Sequence, residues 1–310
     1  MLRATVASVL AQTYRPIEIV IVDDGSTDNT FAVAQEIARD HPDEVMAITI
    51  ANAGPGGARQ AGIEKSSGDY IQFLDSDDYL LPEKFALQVS ALAADPESVA
   101  SYGKTRFYAR GEEQPPKTAG RRTGERISHM FPAHLQARWW ATSTPLFRRT
   151  ACIEAGPWTT LRNEEDWEYE CRIAKNGGKL AFVDEFVSEH NLHDGERLSS
   201  HGSSDPLKLR DRATAQALIF EHAHEAGITS EQPEMKHFSR RCFLLARQCG
   251  AVGLQDEAAM LFALARRAAT PHAARGGDFL VVGTAARIFG WRVVGRVSRF
   301  VDRFRRSGPR

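Results

Sequence analysis

The sequence predicts an α/β domain with a mixed, mostly parallel sheet flanked by helices, followed by an all-helical C-terminal region. Short runs rich in β-branched residues, such as "IEIVIV", are typical of strands that are covered on both faces. These runs alternate with segments of helical periodicity over about the first 200 residues, and beyond them only helical periodicity is left. We therefore predict an α/β domain at 1–204, a helical hairpin region at 205–272 and a basic tail at 273–310.

The composition is that of an ordinary globular protein. The chain has 310 residues, of which 42% are hydrophobic and 25% charged, and its net charge is −1. Such a balance excludes a general polyanion binder, so we expect no nucleic acid partner. The N-terminus lacks a basic segment followed by an apolar one, and no apolar run reaches the length of a spanning helix. We expect a cytoplasmic protein.

The first elements can be read from the pattern of apolar residues. "MLRATVASVLAQTY" has helical spacing, and "IEIVIV" is the first strand. "DDGSTDNT" turns the chain, and Ser26 or Thr27 is placed to cap a helix that runs to about Arg39. "VMAITI" is the next strand, and "NAGPGGARQAGIEKSSG" predicts a glycine-rich turn and a short helix. A buried strand at Tyr70–Leu74 and a helix from Pro82 to about Ala94 follow.

The later part of this domain is less regular. Val99–Tyr108 predicts one strand or two, and "TPLFRRTACIEAG" predicts a strand and a short helix. "NEEDWEYECRIAKNGG" is typical of a helix that ends at Gly177 and Gly178, and "KLAFVDEFVSEHNLH" returns as a strand. These elements complete the alternation expected of an α/β domain.

The C-terminal region combines two kinds of helical segment. "FSRRCFLLARQCGAVGLQDEAAMLFALARRA" predicts two amphipathic helices joined near Gly250 to Gly253. The tail from Arg275 onward holds nine arginines and two aspartates, with aromatic and valine residues at near-helical intervals. It either lies on an anionic membrane surface, at the inner face of the cell membrane, or packs on the protein with arginine stems on its flanks.

The four cysteines carry no metal-binding or redox spacing. Cys242 and Cys249 lie seven residues apart and fit one helix face, and Cys152 and Cys171 are isolated. Small buried apolar residues with reduced thiols are the interpretation we favour.

Two acidic groups each follow a predicted strand. Asp23 and Asp24 follow the first, and Asp75, Asp77 and Asp78 follow the Tyr70 strand. Ligands of open α/β sheets bind beyond the carboxyl ends of the strands, so both groups should share one edge. The carboxylates repel one another, and a hard divalent cation that also binds phosphates would offset this. Capping of the following helices is the alternative, and it is stronger for the first group.

A third acidic group begins the "NEEDWEYE" helix. Glu164, Glu165 and Asp166 either stabilise the helix N-terminus or supply a general base. Trp167 either offers a ligand a stacking face or anchors the helix as a buried residue. His193, in "EHNLHDGERLS", is a further metal ligand or an ordinary histidine.

Together these segments resemble one enzyme family. "SVLAQTYRPIEIVIVDDGSTDNT", "NAGPGGARQAGIEKSSGDYIQFLDSDDYLLPEKF", "LFRRTACIEAG" and "NEEDWEYECRIAKNGGKLAFVDE" resemble, in order and spacing, the family 2 glycosyltransferases of the GT-A fold. The resemblance covers about residues 1–200. Family members usually begin with a strand ahead of the "SVLAQTY" helix, and because this chain begins inside that helix we expect a sheet with an open central position.

The resemblance implies a nucleotide site built from four residues of the first half. Asp24, with Asp23 beside it, matches the acid that contacts the nucleotide base. Asn52 and Arg59 lie where the family's glycine-rich segment borders the nucleotide. The donor implied is a nucleotide-diphosphate sugar.

The resemblance also implies the residues of the reaction centre. Asp75 and Asp77 stand in the DxD motif; Asp75 and Asp78 are expected at the nucleotide sugar, and Asp77 and His193 at a divalent cation, Mn²⁺ or Mg²⁺. Asp166 matches the catalytic base, which takes a proton from an acceptor hydroxyl so that the oxygen attacks the anomeric carbon with inversion.

The expected activity is thus inverting sugar transfer to a glycan or lipid-linked acceptor in the synthesis of a cell-surface glycan or polysaccharide. A non-catalytic relative that binds a sugar nucleotide or a partner is the alternative. A metal-dependent nucleotidyl or phosphoryl transferase ranks last, because the sequence has no P-loop or other phosphate-binding signature.

Overall fold

The structure is a computed structural model that describes residues 1–108, 115–192 and 204–307, with side chains up to residue 301. His193 lies outside the described residues. The elements in chain order are α1 (Leu2–Leu10), β1 (Ile19–Asp23), α2 (Thr30–Asp40), β2 (Val45–Thr49), α3 (Gly54–Lys65), β3 (Tyr70–Ile71), β4 (Tyr79–Leu80), α4 (Lys84–Ala94), β5 (Ala100–Tyr108), β6 (Leu146–Arg148), α5 (Arg149–Ala155), α6 (Glu165–Ala174), β7 (Leu180–Asn191), α7 (Pro206–Glu225), α8 (Pro233–Val252), α9 (Gln255–Ala268) and α10 (Gly277–Ser307).

The chain divides into two compact units. The first comprises the described residues of Met1–Met130, Arg138–Thr160 and Arg172–Gly195, and contains the strands. The second comprises those of Phe131–Ala137, Leu161–Cys171 and Glu196–Arg310. Two short segments from within the 1–204 range therefore group with the helical region, so the division is not a single cut in the sequence.

The strands of the first unit form two sheets. β1 and β2 pair in parallel, from Ile19 opposite Val45 to Asp23 opposite Thr49. The second sheet has the order β3-β6-β5-β7-β4; its long β5–β7 ladder is parallel, and its three short ladders are antiparallel. The architecture is thus the mixed, mostly parallel α/β arrangement that the sequence predicts. No strand pairing joins the two sheets in the part of the chain that the structure describes.

Helix α1 contributes to two apolar clusters of the first unit. Its Val6 packs with Ile37 of α2 and Val45 of β2. Val9, one turn later, belongs to a second cluster with residues of β4, α4 and β6, among them Leu80. Burial of each valine contributes roughly 1.5–3 kcal/mol to stability. The "SVLAQTY" helix therefore links the β1–β2 side of the unit to the second sheet.

Three local predictions are wrong in detail. Helix α2 begins at Thr30 rather than after Ser26 or Thr27, because the Asp28 carboxylate accepts the Thr30 N–H at 2.9 Å. The glycines predicted to form a turn are instead the first turn of α3. Strand β3 ends at Ile71 rather than Leu74, since the chain there leaves the ladder with β6.

The second unit contains the predicted helical hairpin. α8 ends at Val252 and is followed by Gly253, whose φ of +94° is readily adopted only by glycine; α9 begins at Gln255. All four cysteines of the chain are free and buried, as expected. α10 is interrupted at Gly290. Among the residues that the structure covers, no helix has the length and apolar character needed to cross a bilayer.

Candidate active site

The first acidic group lies at the end of β1, where the chain turns towards α2. Asp23 is 5% exposed, and its Oδ2 accepts hydrogen bonds from the Thr49 hydroxyl at 2.9 Å and the Ser26 N–H at 3.4 Å. Its Oδ1 is buried without a hydrogen-bond partner in the described part of the chain. A buried, half-satisfied carboxylate beside a loop is ready to accept a hydrogen bond from a ligand.

Asp24 has its carboxylate on the N-terminus of α3. Its Oδ1 accepts the Ala53 N–H at 2.6 Å and its Oδ2 accepts the Gly54 N–H at 2.9 Å. The Asn52 side-chain amide donates to the Asp24 carbonyl oxygen at 2.9 Å. Asp24 therefore caps α3 from another loop, an arrangement that the helix dipole favours. The structure thus brings Asp24 and Asn52 together.

The same helix holds the second acidic group through Arg59. The Arg59 Nη2 donates to the Asp75 Oδ1 at 2.9 Å, and its guanidinium lies 5.0 Å from the centre of the Trp158 ring. Desolvation opposes ionisation of Asp75, but the charge and hydrogen bond of Arg59, together with the charges of Arg138 and His190, outweigh it, so the pKa of this carboxyl is lowered. One helix thus contacts Asp24 at its first residues and Asp75 through a residue five positions after its start, roughly 8 Å along its axis.

Close packing explains the glycines at the start of α3. A Cβ on Gly56 would lie 2.5 Å from the Thr159 carbonyl oxygen, so a larger residue there would push the helix away. The glycine-rich segment therefore sets the position of α3, and with it the positions of Asp24 and Asp75.

Asp78 points into the protein. It is fully buried: its Oδ2 accepts the Ser143 hydroxyl at 3.0 Å, its Oδ1 accepts the Asn191 N–H at 3.2 Å, and the His190 Nδ1 lies 3.0 Å away. Burial raises the pKa of this carboxyl despite the histidine. In this conformation Asp78 is closed off from any ligand, contrary to the prediction that it contacts the nucleotide sugar. Its burial sets the turn in which the Asp78 N–H donates to the Asp75 carbonyl at 3.1 Å.

Helix α1 supports the loop that carries the DxD motif. The Thr5 hydroxyl donates to the Ser76 carbonyl at 2.9 Å, and the Ser8 hydroxyl accepts the Leu80 N–H at 3.1 Å. Gln12 is buried and bonds to the backbone just beyond β4. Sequence reasoning missed these supporting residues and His190. The resemblance points to His193 of "EHNLH", whereas the histidine in contact with Asp78 is His190, near the end of β7.

Two carboxylates of this loop are partly exposed to solvent. The Asp75 side chain is 40% exposed, and Asp77 is partly exposed. In the residues that the structure describes, no group of three or more acidic, histidine or cysteine side chains is arranged to hold a metal. Mg²⁺ bound to a diphosphate commonly uses one or two protein carboxylates. The donor set of Asp75 and Asp77 therefore fits a cation that shares its coordination shell with phosphate oxygens.

Asp166 belongs to the second unit and lies in the first turn of α6. It is partly exposed, and its Oδ1 accepts the Trp167 N–H at 2.7 Å. Two residues earlier, Glu164 adopts a φ of +61°, and its carboxylate accepts from the Arg212 Nε at 2.7 Å and the Gln216 Nε2 at 2.6 Å. Helix α7 therefore fastens the backbone that precedes Asp166.

Trp167 is a buried anchor rather than a stacking platform. It is 7% exposed and its indole N–H donates to the His134 carbonyl at 3.0 Å. The Arg241 guanidinium lies 4.3 Å from the centre of the Trp167 ring and donates to the Leu135 and Gln136 carbonyls. The interpretation of Trp167 as a stacking face is therefore not supported. Its indole N–H is bonded to the His134 carbonyl, and the Arg241 guanidinium lies over its ring.

Comparison with protein families and curated proteins finds glycosyltransferases. Residues 1–153 match the model of Glycosyl transferase family 2. An uncharacterized glycosyltransferase of Nostoc sp. is 48% identical over 83 residues, which are 27% of this chain and 26% of that protein. The Escherichia coli protein WfaP, a UDP-Glc:alpha-D-GlcNAc-diphosphoundecaprenol beta-1,3-glucosyltransferase, is 43% identical over 89 residues, which are 28% of this chain and 34% of WfaP. The chain thus covers about a quarter to a third of these relatives.

Solved structures extend the similarity over nearly the whole chain. Residues 1–349 of TarS from S. aureus have a TM-score of 0.64 at 16% identity, covering 96% of this chain and 87% of the other. The mannosyltransferase PcManGT of Pyrobaculum calidifontis, solved with GDP-Man and Mn²⁺, has a TM-score of 0.53 at 18% identity, covering 97% and 83%. At such identities the likeness concerns the fold, which is that of the GT-A glycosyltransferases.

Proposed function

We propose that the chain transfers a sugar from a nucleotide-diphosphate sugar to an acceptor hydroxyl with inversion, a proposal supported by the match of residues 1–153 to the model of Glycosyl transferase family 2. The observation that carries the proposal is the double contact of α3. This helix binds Asp24 at its N-terminus and Asp75 through Arg59, so the two acidic loops lie beside one another. That neighbourhood supports the assignment of a nucleotide to these two loops.

The donor is a UDP- or GDP-sugar in this proposal. TarS has been solved with UDP and with UDP-GlcNAc, and PcManGT with GDP-Man. Asp23 has an unsatisfied buried oxygen that can accept a hydrogen bond from a base, and Asn52 lies beside Asp24. The acceptor is a glycan or a lipid-linked glycan, as the name of WfaP indicates for that relative. The product would then enter a cell-surface glycan or polysaccharide.

The residues of the chain have distinct roles in the proposed reaction. Asp166 accepts the proton of the acceptor hydroxyl while its oxygen forms a bond to the anomeric carbon. The bond from that carbon to the diphosphate breaks on the opposite face, and the nucleoside diphosphate leaves with the electron pair. When bound, Mn²⁺ or Mg²⁺ neutralises charge on the leaving diphosphate. Asp77, with His193 and the Arg59-oriented Asp75, would hold it.

Titration calorimetry with UDP and GDP, with and without Mn²⁺, tests the donor site. We expect one nucleotide to bind in a manganese-dependent manner, and Asp77→Ala to weaken this binding at least tenfold. Asp43→Ala is the matched control and should bind as the wild type does, because it removes an exposed acid two residues before β2, at the end of the β1–β2 ladder away from Asp23. Equal binding by Asp77→Ala and the wild type would remove Asp77 from the site.

Turnover separates an enzyme from a sugar-nucleotide-binding relative without activity. We expect the wild type to hydrolyse the donor or transfer its sugar. If Asp166 is the catalytic base, Asp166→Asn should lower the rate by 10²-fold or more and leave the nucleotide affinity unchanged. Glu154→Gln, at an exposed acid on α5, is the control. Nucleotide binding without turnover in both the wild type and the control would favour the non-catalytic alternative.

A further inference from the structure

We propose that α10 is a membrane-binding surface that docks on a bilayer containing anionic lipid, such as the cytoplasmic leaflet of a cell membrane. The inference does not rest on the proposed function, because it concerns only the surface of the helical unit. It combines the two interpretations that the sequence leaves open for the basic tail, packing on the protein and binding to a membrane. The structure shows that α10 packs on the protein along one side and exposes an apolar stripe along the other.

The exposed apolar side chains of the protein concentrate on this helix. Eight of the fourteen large hydrophobic residues found exposed in the described residues lie in α10. They are Leu280, Val281, Ile288, Phe289, Val293, Val297, Phe300 and Val301. Single exposed hydrophobic residues are normal on a protein surface, but a continuous patch marks an interaction site.

Beyond the interruption, the exposed residues form one stripe with basic side chains on one flank. Val293, Val297 and Phe300 follow at intervals of four and three residues, which places them on one face of a helix. Each is directly preceded in the sequence by an exposed arginine, about 100° around the helix, so the arginines form a row beside the stripe. These arginines are Arg292, Arg296 and Arg299.

Two glycines allow the second half of α10 to pack closely against α8 on the side away from the stripe. A Cβ on Gly295 would lie 2.1 Å from the Ala251 nitrogen, and one on Gly250 would lie 2.5 Å from the Trp291 carbonyl oxygen. Val294 is 7% exposed in the same interface. The two backbones therefore touch, and the stripe is presented on a supported helix rather than on a loose tail.

The first half of α10 also has one packed side and one exposed apolar side. Phe279 packs against Phe243 and Phe262, at ring-centre distances of 5.2 and 5.5 Å, while Val281 and Ile288, seven residues apart, are exposed at 70% and 67%. Gly290, with a φ of +78°, breaks the helical path between the halves. Such a φ favours glycine, so the glycine at position 290 accounts for the break in the helix.

The charged side chains of α10 indicate that its partner is an anionic lipid surface. The described side chains of α10 include four exposed arginines, Arg287, Arg292, Arg296 and Arg299, and a single acid, Asp278 at its start. An apolar face with arginines beside it is the pattern of helices that lie in the plane of a membrane interface, with the apolar side chains among the acyl chains and the cations at lipid phosphates. The anionic cytoplasmic leaflet attracts such cations.

Sedimentation with vesicles tests the proposal on the full chain. The probes are vesicles of phosphatidylcholine alone and vesicles with 30% phosphatidylglycerol, at low and at 0.5 M NaCl. Two variants are made: Ile288, Phe289, Val293 and Val297 to Ser, and Arg287, Arg292, Arg296 and Arg299 to Gln. Matched controls are Ile153 and Leu207 to Ser, and Arg39, Lys65, Lys236 and Arg266 to Gln, all at exposed positions elsewhere.

We expect binding to the anionic vesicles only, weakened by salt, and retained by both controls. Each arginine contributes about fivefold to the partition coefficient, so the arginine variant should lose about 100-fold or more. The serine variant should lose binding with unchanged circular dichroism, since its substitutions are on the surface. Equal loss in the controls, or unchanged binding in the serine variant, would overturn the proposal. Absence of vesicle binding, together with a dimer that the serine variant abolishes, would assign the face to a second copy of the chain.

Discussion

Helix α7 should stabilise the turn before Asp166 through Glu164, and substitution of Glu164 measures how much. Glu164 accepts hydrogen bonds from Arg212 and Gln216, and the side chains of the Glu164–Arg212 pair are only 16% and 22% exposed. A hydrogen bond to a charged group contributes about 1.5–3 kcal/mol. Because some exposure screens the ion pair, we expect Glu164→Ala to lower the free energy of unfolding by about 3 kcal/mol.

The backbone of Glu164 allows a sharper comparison. Its φ of +61° places a non-glycine residue in the left-handed region, which costs about 1–2 kcal/mol relative to glycine. Glu164→Gly loses the same two hydrogen bonds as Glu164→Ala but relieves this strain, so it should be about 1 kcal/mol more stable than the alanine variant. Glu164→Gln keeps the shape and one acceptor oxygen, but its amide NH2 cannot accept the second hydrogen bond. Because one of the two hydrogen bonds is retained, it should be the mildest of the three.

Urea unfolding followed by circular dichroism, with equal m-values required for the comparison, gives these differences. The expected order of stability is wild type, Gln, Gly and Ala. A glycine variant less stable than the alanine variant would refute the argument from the left-handed turn. If Asp166 is the base, the same variants should lower kcat for sugar transfer with little change in the KM for the donor, because α7 holds the segment that bears the base.

Three further predictions concern buried groups. Burial raises the pKa of Cys242 and Cys249 to about 12, and all four free thiols are buried, so none of them should react with a thiol reagent at pH 8 until the protein unfolds; rapid labelling of the native protein would contradict this. Burial lowers the pKa of Lys84, so the unfolded state binds more protons and the free energy of unfolding should rise with pH up to about 10, a rise that Lys84→Met lacks. Gly295→Ala should lower the melting temperature by several degrees in scanning calorimetry, whereas Gly277→Ala, with open space around its Cβ, should not.

The order and type of the elements could be predicted because local signals agreed with the fold. The β-branched run that forms β1, the helical spacing of α1 and the glycine ending α8 each have a local physical cause. The boundaries were less accurate where a distant residue decides them. Strand β3 ends at Ile71 because its partner β6 is only three residues long, which no local signal in "YIQFL" shows.

The candidate site was predictable in its composition and not in the direction of its side chains. Asp24 was recognised as a functional or capping residue, but its cap lies on α3, thirty residues later, rather than on the helix that follows it. Asp78 was assigned to the ligand, but Ser143 and Asn191 turn its carboxylate inward. Asn191 lies more than a hundred positions after Asp78 in the sequence. Their contact therefore depends on the topology of the second sheet and not on local sequence.

The structure also changes the argument that three carboxylates in "LDSDD" require a cation. Arg59 compensates the charge of Asp75, and the buried Asp78 is compensated by hydrogen bonds and by His190. Electrostatic repulsion within the motif is therefore largely offset by the protein itself. The case for a divalent cation rests instead on Asp75 and Asp77, the two partly exposed acids, and on the small number of carboxylates that a diphosphate-bound cation needs. Asp77→Ala and Asp78→Ala should therefore have different effects. Asp77→Ala should weaken manganese-dependent nucleotide binding and leave the protein stable. Asp78→Ala should lower the free energy of unfolding, because it leaves the Ser143 hydroxyl and the Asn191 N–H without their buried acceptor.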